Sequence, residues 1–346
     1  MKRFQIILGL LALINVISIL VSSAVIGVMS ASLPSQNAVS RWAGDGTATA
    51  QISAFLTDSA ELSSDDISRG ITGKLDSALT EASISPPDAD ARLYALGYST
   101  ETSGSVTYVN TSGKNVGGAI SVTVTACGGD FFIFHPLSML SGYYFNTEDI
   151  LNDCVVIDND IAWQIFGSHD VVGRVIKLNG RDCYISGVTE CGRDGKYSDY
   201  YGDKPRIYIS YSLAEELYGN LPARVVEILL PNPIGGFAMD MFKDALSVPE
   251  SECELVENSA RFSDSQLRRL LSGFSERSVR TTNVSFPYYE NTARVLNDKA
   301  SIVYIFKLVP ICMLVVIAVI EIVTVYINRR RIFKALSNRL KRRKYK

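Results

Sequence analysis

Two long apolar segments, one near each end of the 346-residue chain, place the strongest limit on what it can form. Residues 4–33 carry no charge, and residues 308–327 read LVPICMLVVIAVIEIVTVYI, with a single acidic side chain. A helix of about 20 apolar residues spans a bilayer. The sequence therefore predicts transmembrane helices within residues 1–30 and 301–328, with a domain of residues 31–300 between them.

A cleaved secretory signal is the alternative interpretation of the first segment. The apolar core of a signal peptide has roughly 7–15 residues, and this segment is longer. No small-x-small cleavage site follows it at the right distance. We therefore expect an uncleaved membrane anchor.

Basic residues next to the two segments indicate their orientation. Lys2 and Arg3 precede the first segment, and residues 329–346 hold ten Lys or Arg and no acidic residue. Basic flanks stay on the cytoplasmic side of a membrane. We expect a protein of the cytoplasmic membrane with both termini inside the cell and the central domain outside it.

Charge is divided unevenly between the ends and the centre. The region between residues 31 and 300 has 21 basic and 35 acidic residues, a net charge of −14. Such a domain is soluble and is not suited to binding nucleic acid. The basic tail fits an anionic inner leaflet or an acidic protein surface, so membrane lipid is an expected partner.

Strand and helix patterns follow one another in the central region, which predicts an α+β extracytoplasmic domain. Residues 120–126 alternate apolar and polar side chains, as a strand with one buried face does. Asn179-Gly180 stands between two β-branched runs and is the strongest hairpin signal in the chain. We expect two lobes, over about residues 48–130 and 131–257.

Helical spacing of apolar side chains marks three further segments. Residues 50–82 place isoleucine, leucine and phenylalanine at intervals of three and four. Residues 263–277 form an amphipathic pattern, and residues 288–307 are expected to continue into the second span as one helix. The segment that directly follows the first span is small and polar, and we expect it to be a connector.

One stretch carries a specific resemblance. GGDFFIFHPLSMLSGYYFNTEDI, residues 128–150, has an aromatic pair, then a glycine followed by aromatic residues, then an acidic helix start. CVVIDNDIAWQIFGSHDVVGRVIKLNGRDCYISGV, residues 154–188, adds a strand, a short helix ending in Phe-Gly and a hairpin. RIYISYSLAEELYG, residues 206–219, supplies the next strand and helix. Together they resemble the extracytoplasmic core domain of MacB/FtsX-type ABC transporter permeases.

The resemblance implies a function and partners. Permeases of this type resemble a four-span design, whereas two spans are found here, so we expect a half-size or accessory permease-like subunit. Its partners would be a cytoplasmic ABC ATPase subunit and another permease-like subunit or a copy of itself. The alternative is a membrane-anchored extracytoplasmic binding or sensing protein without transport activity.

Motifs of nucleotide hydrolysis and of catalysis are not found in the sequence. It lacks G-x-x-x-x-G-K-[ST], G-x-S-x-G and H-E-x-x-H. Its two histidines, His135 and His169, have no neighbouring ligand pattern. We therefore expect no enzyme activity, no cofactor and no metal site. The cysteines are expected to be buried apolar residues or to include one disulfide, with Cys183 and Cys191 as the candidate pair.

Two groups of residues are candidates for binding partners. The first combines a carboxylate inside the second span with the basic tail, which either lies on the membrane surface as an amphipathic helix or contacts the ATPase. It consists of Glu321, Arg329, Arg330, Arg331, Ile332, Phe333, Leu336 and Leu340. The second group belongs to a loop that is either mobile surface or recognises a partner or an exported ligand. It consists of Asp194, Tyr197, Asp199, Tyr200 and Tyr201.

Overall fold

A computed structural model describes most of the chain. It covers residues 2–42, 48–86, 91–108, 118–146, 153–190, 192, 198–273 and 284–343. At residues 2, 198–199 and 330–343 it describes the backbone alone.

Ten strands in the described part of the chain form one sheet. They are β1 (Thr49–Leu56), β2 (Ala95–Thr107), β3 (Ile120–Gly129), β4 (Met139–Gly142), β5 (Cys154–Asp158), β6 (Val175–Leu178), β7 (Arg181–Thr189), β8 (Arg206–Ser210), β9 (Val225–Pro231) and β10 (Cys253–Glu257). Their order is β10-β1-β9-β2-β3-β8-β5-β7-β4, and β6 pairs with β2 and β7. The α+β class predicted from the sequence is confirmed.

Helices flank the sheet and extend from it. They are α1 (Lys2–Ala31), α2 (Val39–Trp42), α3 (Thr72–Glu81), α4 (Phe131–Phe134), α5 (Asn159–Phe166), α6 (Ser198–Tyr201), α7 (Tyr211–Tyr218), α8 (Phe237–Leu246), α9 (Asp264–Ser272) and α10 (Tyr288–Arg343). A π-helical turn, Asp66–Ile71, leads into α3, and a 3₁₀ turn, Pro34–Gln36, follows α1.

The strands of the two expected lobes are interleaved. Strand β9 lies between β1 and β2, and β8 pairs in parallel with β3. One buried apolar cluster also runs across both halves of the chain. The predicted boundary near residue 130 is therefore wrong, because hydrogen bonds between strands from the two halves close a single sheet.

One face of the sheet is apolar and is covered by helices. Val122, Val124 and Ala126 of β3 point into this face and are fully buried, as their alternation predicts. Side chains of α3, α5, α7 and α8, such as Leu75 and Phe242, pack on the same face. This layer forms the main hydrophobic core of the domain.

Local predictions were confirmed at the hairpin and wrong at the first strand. Asn179 and Gly180 both have positive φ, 49° and 90°, as a two-residue hairpin between β6 and β7 requires. Residues 49–56, by contrast, form β1 and not a helix. This strand is paired on both sides and buried almost throughout, so its apolar residues need not alternate.

Two helices have the length and composition to cross a membrane. They are α1 and α10, and α10 continues without a break for 56 residues from the sheet to Arg343, with Pro310 inside it. Leu33 packs against Ala293 and Leu296, whereas Ile26 packs against Ala300. The two helices therefore lie antiparallel, and the predicted continuity between residues 288–307 and the second span is confirmed.

Candidate functional site

The second face of the sheet carries polar side chains that are buried. They alternate with the apolar set along the central strands and are Gln51, Ser53, Ser99, Thr125, Asp158, Arg206 and Glu227. Buried polar groups need hydrogen-bond partners, because their desolvation is otherwise uncompensated. Helix α4, the connector after α1 and the first turns of α10 cover this face and supply partners.

The start of α10 is held by a buried ion-pair network. Both carboxylate oxygens of Glu290 accept hydrogen bonds from one guanidinium nitrogen of Arg261, at 2.8 and 2.7 Å. One of these oxygens also accepts from Nε of Arg294 at 2.8 Å. Arg294 in turn pairs with Glu254 on the edge strand β10. Since Glu290 and Arg261 are almost fully buried, the network fixes the first two turns of α10 to the sheet.

An aromatic cage around Arg206 makes a second attachment. The guanidinium lies 4.5 Å from the ring centre of Tyr288 on α10 and 4.9 Å from that of Tyr201. It donates a hydrogen bond of 2.5 Å to Glu101 on β2. A cation between aromatic faces is attracted by their quadrupoles, more strongly where water is excluded. Tyr288 is thereby tied to the centre of the sheet.

A buried histidine makes the third attachment. His135, which follows α4, pairs with Glu227 on β9, and its ring centre lies 3.9 Å from that of Tyr289 on α10. Glu227 also accepts a hydrogen bond from the Ser53 hydroxyl on β1 at 2.7 Å. His135 therefore links α10 to β9 directly and to β1 through Glu227.

The connector after α1 is held against the same face. The side chain of Gln51 accepts from the Ala38 amide at 2.9 Å and donates to the Ser35 carbonyl at 2.6 Å. Arg41 donates to the Ile133 and Phe134 carbonyls at 2.8 and 3.2 Å. Both membrane helices thus join one buried polar surface, which we call the junction.

A cavity of about 700 Å³ lies beside the junction. The connector lines one side with Leu33 and Gln36, and the aromatic rings of Tyr201, Tyr208 and Tyr288 line another. Its volume lies in the range of about 300–1,000 Å³ that is usual for ligand sites.

Asp158 lies at the centre of the junction, and burial raises its pKa to about 7. Hydrogen bonds from the Arg206 amide at 2.7 Å and from the Tyr201 hydroxyl at 2.8 Å act in the opposite direction. In an unfolded chain the carboxyl titrates near pH 4. Between these values the folded state keeps a proton that the unfolded state has lost.

The raised pKa of Asp158 predicts that the protein becomes less stable as the pH rises. Stability falls with pH wherever the unfolded state binds fewer protons than the folded state. Asp158→Asn removes the titration and keeps the shape of the side chain. Relative to Asp158→Asn, the wild type should therefore lose stability as the pH rises. Its free energy of unfolding, compared with that of the variant, should fall by roughly 2–3 kcal/mol from about pH 5 to pH 7. Denaturant titrations of both proteins at the two pH values measure it, and a constant difference would contradict the raised pKa.

Two residues of the predicted recognition loop, Tyr200 and Tyr201, have described side chains, and neither is fully exposed. Tyr201 is 4% exposed and belongs to the Arg206 cage, so its assignment to a surface loop is wrong. Tyr200 is half-buried on α6. Asp194 and Tyr197 lie outside the described residues, as does the side chain of Asp199. A recognition role for those residues stays a prediction.

Glu321 lies on the seam between the two membrane helices. Partly buried positions of α10 follow one another at intervals of three and four and include Leu314, Ile317, Glu321 and Thr324. The antiparallel register brings Glu321 level with the Leu8 turn of α1, near the basic ends. Arg329 lies over the Tyr326 ring at 4.5 Å, so its guanidinium is directed to this ring and away from the seam.

The basic tail is helical and continues α10 to Arg343. Side chains of Arg330, Arg331, Ile332, Phe333, Leu336 and Leu340 lie outside the described part, so their contacts stay predictions. Cys183 is a buried free thiol in the apolar core, which does not support its pairing with Cys191; Cys191 itself lies outside the described residues. Among the described residues, no group of three or more His, Cys, Asp or Glu is placed to hold a metal ion.

Sequence reasoning missed the residues of the junction. Arg206, Glu227 and Glu290 stand in alternating or helical patterns where a polar side chain ordinarily indicates a solvent-facing position. One sequence feature could have indicated the junction. Tyrosines and charged residues stand together directly before the second span, in YYENTAR, residues 288–294.

Comparison with known proteins supports a specific family. The family of MacB-like periplasmic core domains matches residues 10–235. The periplasmic region of MacB from Actinobacillus actinomycetemcomitans is 15% identical, with 66% of this chain and 94% of that chain covered and a TM-score of 0.41. The extracellular domain of the noncanonic ABC-type transporter YknZ from Gram-positive bacteria is 12% identical, with 60% and 99% covered and a TM-score of 0.38.

No curated protein matches the chain. The family match covers well over half of its residues and includes most of α1, the connector and the strands β1 to β9. Two helices able to span a membrane accompany this domain, as expected for a membrane protein with an extracytoplasmic domain. The chain belongs to the MacB-like periplasmic core domain family of ABC transporter permease components.

Proposed function

We propose that this chain is a half-size or accessory ABC transporter permease-like subunit, whose extracytoplasmic domain is moved by a partner ATPase in export or another envelope process. One observation carries the proposal. The first two turns of α10 are held to the sheet by three separate buried contacts, and the same helix runs unbroken through the membrane to the basic tail. Displacement of the tail would therefore move the sheet.

The proposed orientation places both termini in the cytoplasm, where the tail from Arg329 onward would contact an ABC ATPase. Most of the surface of both spans is left uncovered by this chain. That surface is large enough for lipid and for the spans of another permease-like subunit or a second copy. Glu321 is only partly buried on the seam, and its exposed side would contact a helix of such a partner.

Recovery of the partner tests the proposal. We expect the full chain, purified in mild detergent, to bring with it a protein that has a Walker A motif. Charge reversal of the tail in R329E/R330E/R331E should abolish recovery, since attraction between opposite charges guides such contacts. The matched control is R69E/R174E/R181E, which reverses three exposed basic residues of the domain. Equal recovery with both variants would contradict a tail contact.

Coupling is tested on the recovered complex. Addition of ATP should change amide hydrogen exchange at residues 284–296, which include the junction turns of α10. Tyr288→Ala removes one attachment and should weaken this response while the ATPase still co-purifies. An unchanged response in Tyr288→Ala would show that motion does not pass through the Arg206 cage.

The cavity beside the junction favours one other candidate function, a membrane-anchored binding or sensing protein. Its aromatic and amide lining suits a small ligand with both apolar and polar parts. Under this alternative the chain is recovered without an ATPase, and ATP has no effect on exchange at the junction.

A further inference from the structure

The contacts of Lys307 on α10 suit a membrane boundary on the side of the folded domain. Its Nζ lies 2.7 and 2.9 Å from the two carboxylate oxygens of Asp264 and 5.7 Å from the Tyr304 ring centre. From Lys307 to Asn328 the helix rises ~31 Å, which matches a hydrocarbon core of ~30 Å. Tyrosine and lysine are also the residues that favour the membrane–water boundary.

Helix α9 is docked on the membrane helices at this level. Asp264, which binds Lys307, is its first residue, and Ser263 caps it by accepting from the Gln266 amide. Its apolar side contacts the two long helices through Leu267, Leu270 and Leu271, which pack with Ile26, Ala300 and Tyr304. Tyr304 precedes Lys307 by three residues, or ~4.5 Å of helix. A headgroup layer of about 5–8 Å therefore reaches the part of α9 that contacts Lys307 and Tyr304.

Arg268 and Arg269 lie on the exposed side of α9, away from this contact. Neither guanidinium forms an ion pair with any residue that the structure describes. Arg269 is close to the carboxyl end of the helix, where a cation interacts well with the helix dipole, but this does not account for Arg268. Two adjacent cations without an ion-pair partner among the described residues are notable in a domain with a net charge of −14.

We propose that α9 binds anionic phospholipid headgroups of the leaflet next to the folded domain through Arg268 and Arg269. Guanidinium groups donate paired hydrogen bonds to phosphate oxygens. An anionic membrane surface attracts each nearby Arg or Lys. The acidic remainder of the domain is repelled by the same surface, which favours contact through the basic side of α9. This proposal does not depend on coupling to an ATPase.

Hydrogen exchange at α9 in lipid nanodiscs tests the proposal. The full chain is placed in discs of phosphatidylcholine alone or of phosphatidylcholine with one third phosphatidylglycerol. Exchange at residues 264–272 should be roughly tenfold slower in the anionic discs, as attraction of two arginines to the surface implies. High salt should remove the difference, because it screens exposed charges. The readout is local, so lipid bound by the cytoplasmic tail does not contribute.

Variants assign the effect to the two arginines. R268E/R269E and the neutral R268Q/R269Q should both exchange equally in the two kinds of disc. R69E/R181E, with the same charge change on the opposite face of the sheet, should keep the wild-type difference. Unchanged exchange at residues 225–231 of β9 shows that a variant is folded.

Two results would overturn the proposal. One is an equal exchange rate for the wild-type chain in both discs, or a difference that survives in R268Q/R269Q. The other is an equal slowing in phosphatidylcholine discs after addition of inorganic phosphate, which would identify α9 as a site for a free anion and not for lipid.

Discussion

Replacement of Glu290 by alanine is expected to cost about 3–5 kcal/mol of stability, because it leaves the buried guanidinium of Arg261 without its counter-ion. Arg261 is 4% exposed, and Glu290 is its only ion-pair partner among the described residues. Arg294 loses one of its two carboxylates in the same variant. For a domain of this size the midpoint of thermal unfolding should fall by roughly 10 °C.

Unfolding of the purified full chain in detergent, followed by tryptophan fluorescence, measures the loss. The control is Glu250→Ala, which removes an equally charged side chain from an exposed pair with Lys243 and should leave the midpoint near that of the wild type. If both variants unfold at the same temperature, the network at the start of α10 does not hold the junction together.

The second large effect is expected at Gly142, which lies in the Gly-aromatic part of the family-like stretch. Gly142 has φ +71°, and a Cβ atom there would lie 2.1 Å from the Ser186 carbonyl oxygen. Gly142→Ala therefore combines left-handed strain with a backbone clash, and should cost about 3–4 kcal/mol. The amide of Tyr143 would lose its hydrogen bond of 3.1 Å to the same carbonyl.

Gly167 provides a matched control. It ends α5 with φ +66°, but nothing lies within 4 Å of its Cβ position. Gly167→Ala should cost only about 1–2 kcal/mol, the strain of the left-handed conformation. Denaturant titration of both variants separates the cost of the left-handed backbone from the cost of the clash with the Ser186 carbonyl. If both variants lose the same free energy of unfolding, the close approach of β4 to β7 at Gly142 does not contribute to the cost of the substitution.

Short-range chemistry made several elements predictable from sequence. Asn179-Gly180 can adopt the positive φ values of a tight hairpin, and the amphipathic pattern of residues 263–277 contains α9. Residues 120–126 formed a strand with the predicted apolar face. In each case the deciding interaction lies within a few residues of the chain.

The features that the sequence did not predict depend on contacts between residues that are distant in the chain. Strand β1 looked helical because burial on both sides removes the alternation of an exposed strand. Tyr201 looked like a surface residue because its neighbours in the sequence are polar, whereas Arg206 and Asp158 enclose it. The junction was missed for the same reason, since Glu227 and Glu290 find their partners on other elements.

Pro310 affects where α10 can bend between the folded domain and the bilayer. A proline inside a helix lacks the amide hydrogen, so the Phe306 carbonyl has no partner in α10. This weak point comes three residues after Lys307, at the membrane boundary, whereas the turns above it are clamped to the sheet. Bending of α10 is therefore easiest at this level, so a displacement of the tail would reach the sheet as a tilt of the upper part of the helix about Pro310.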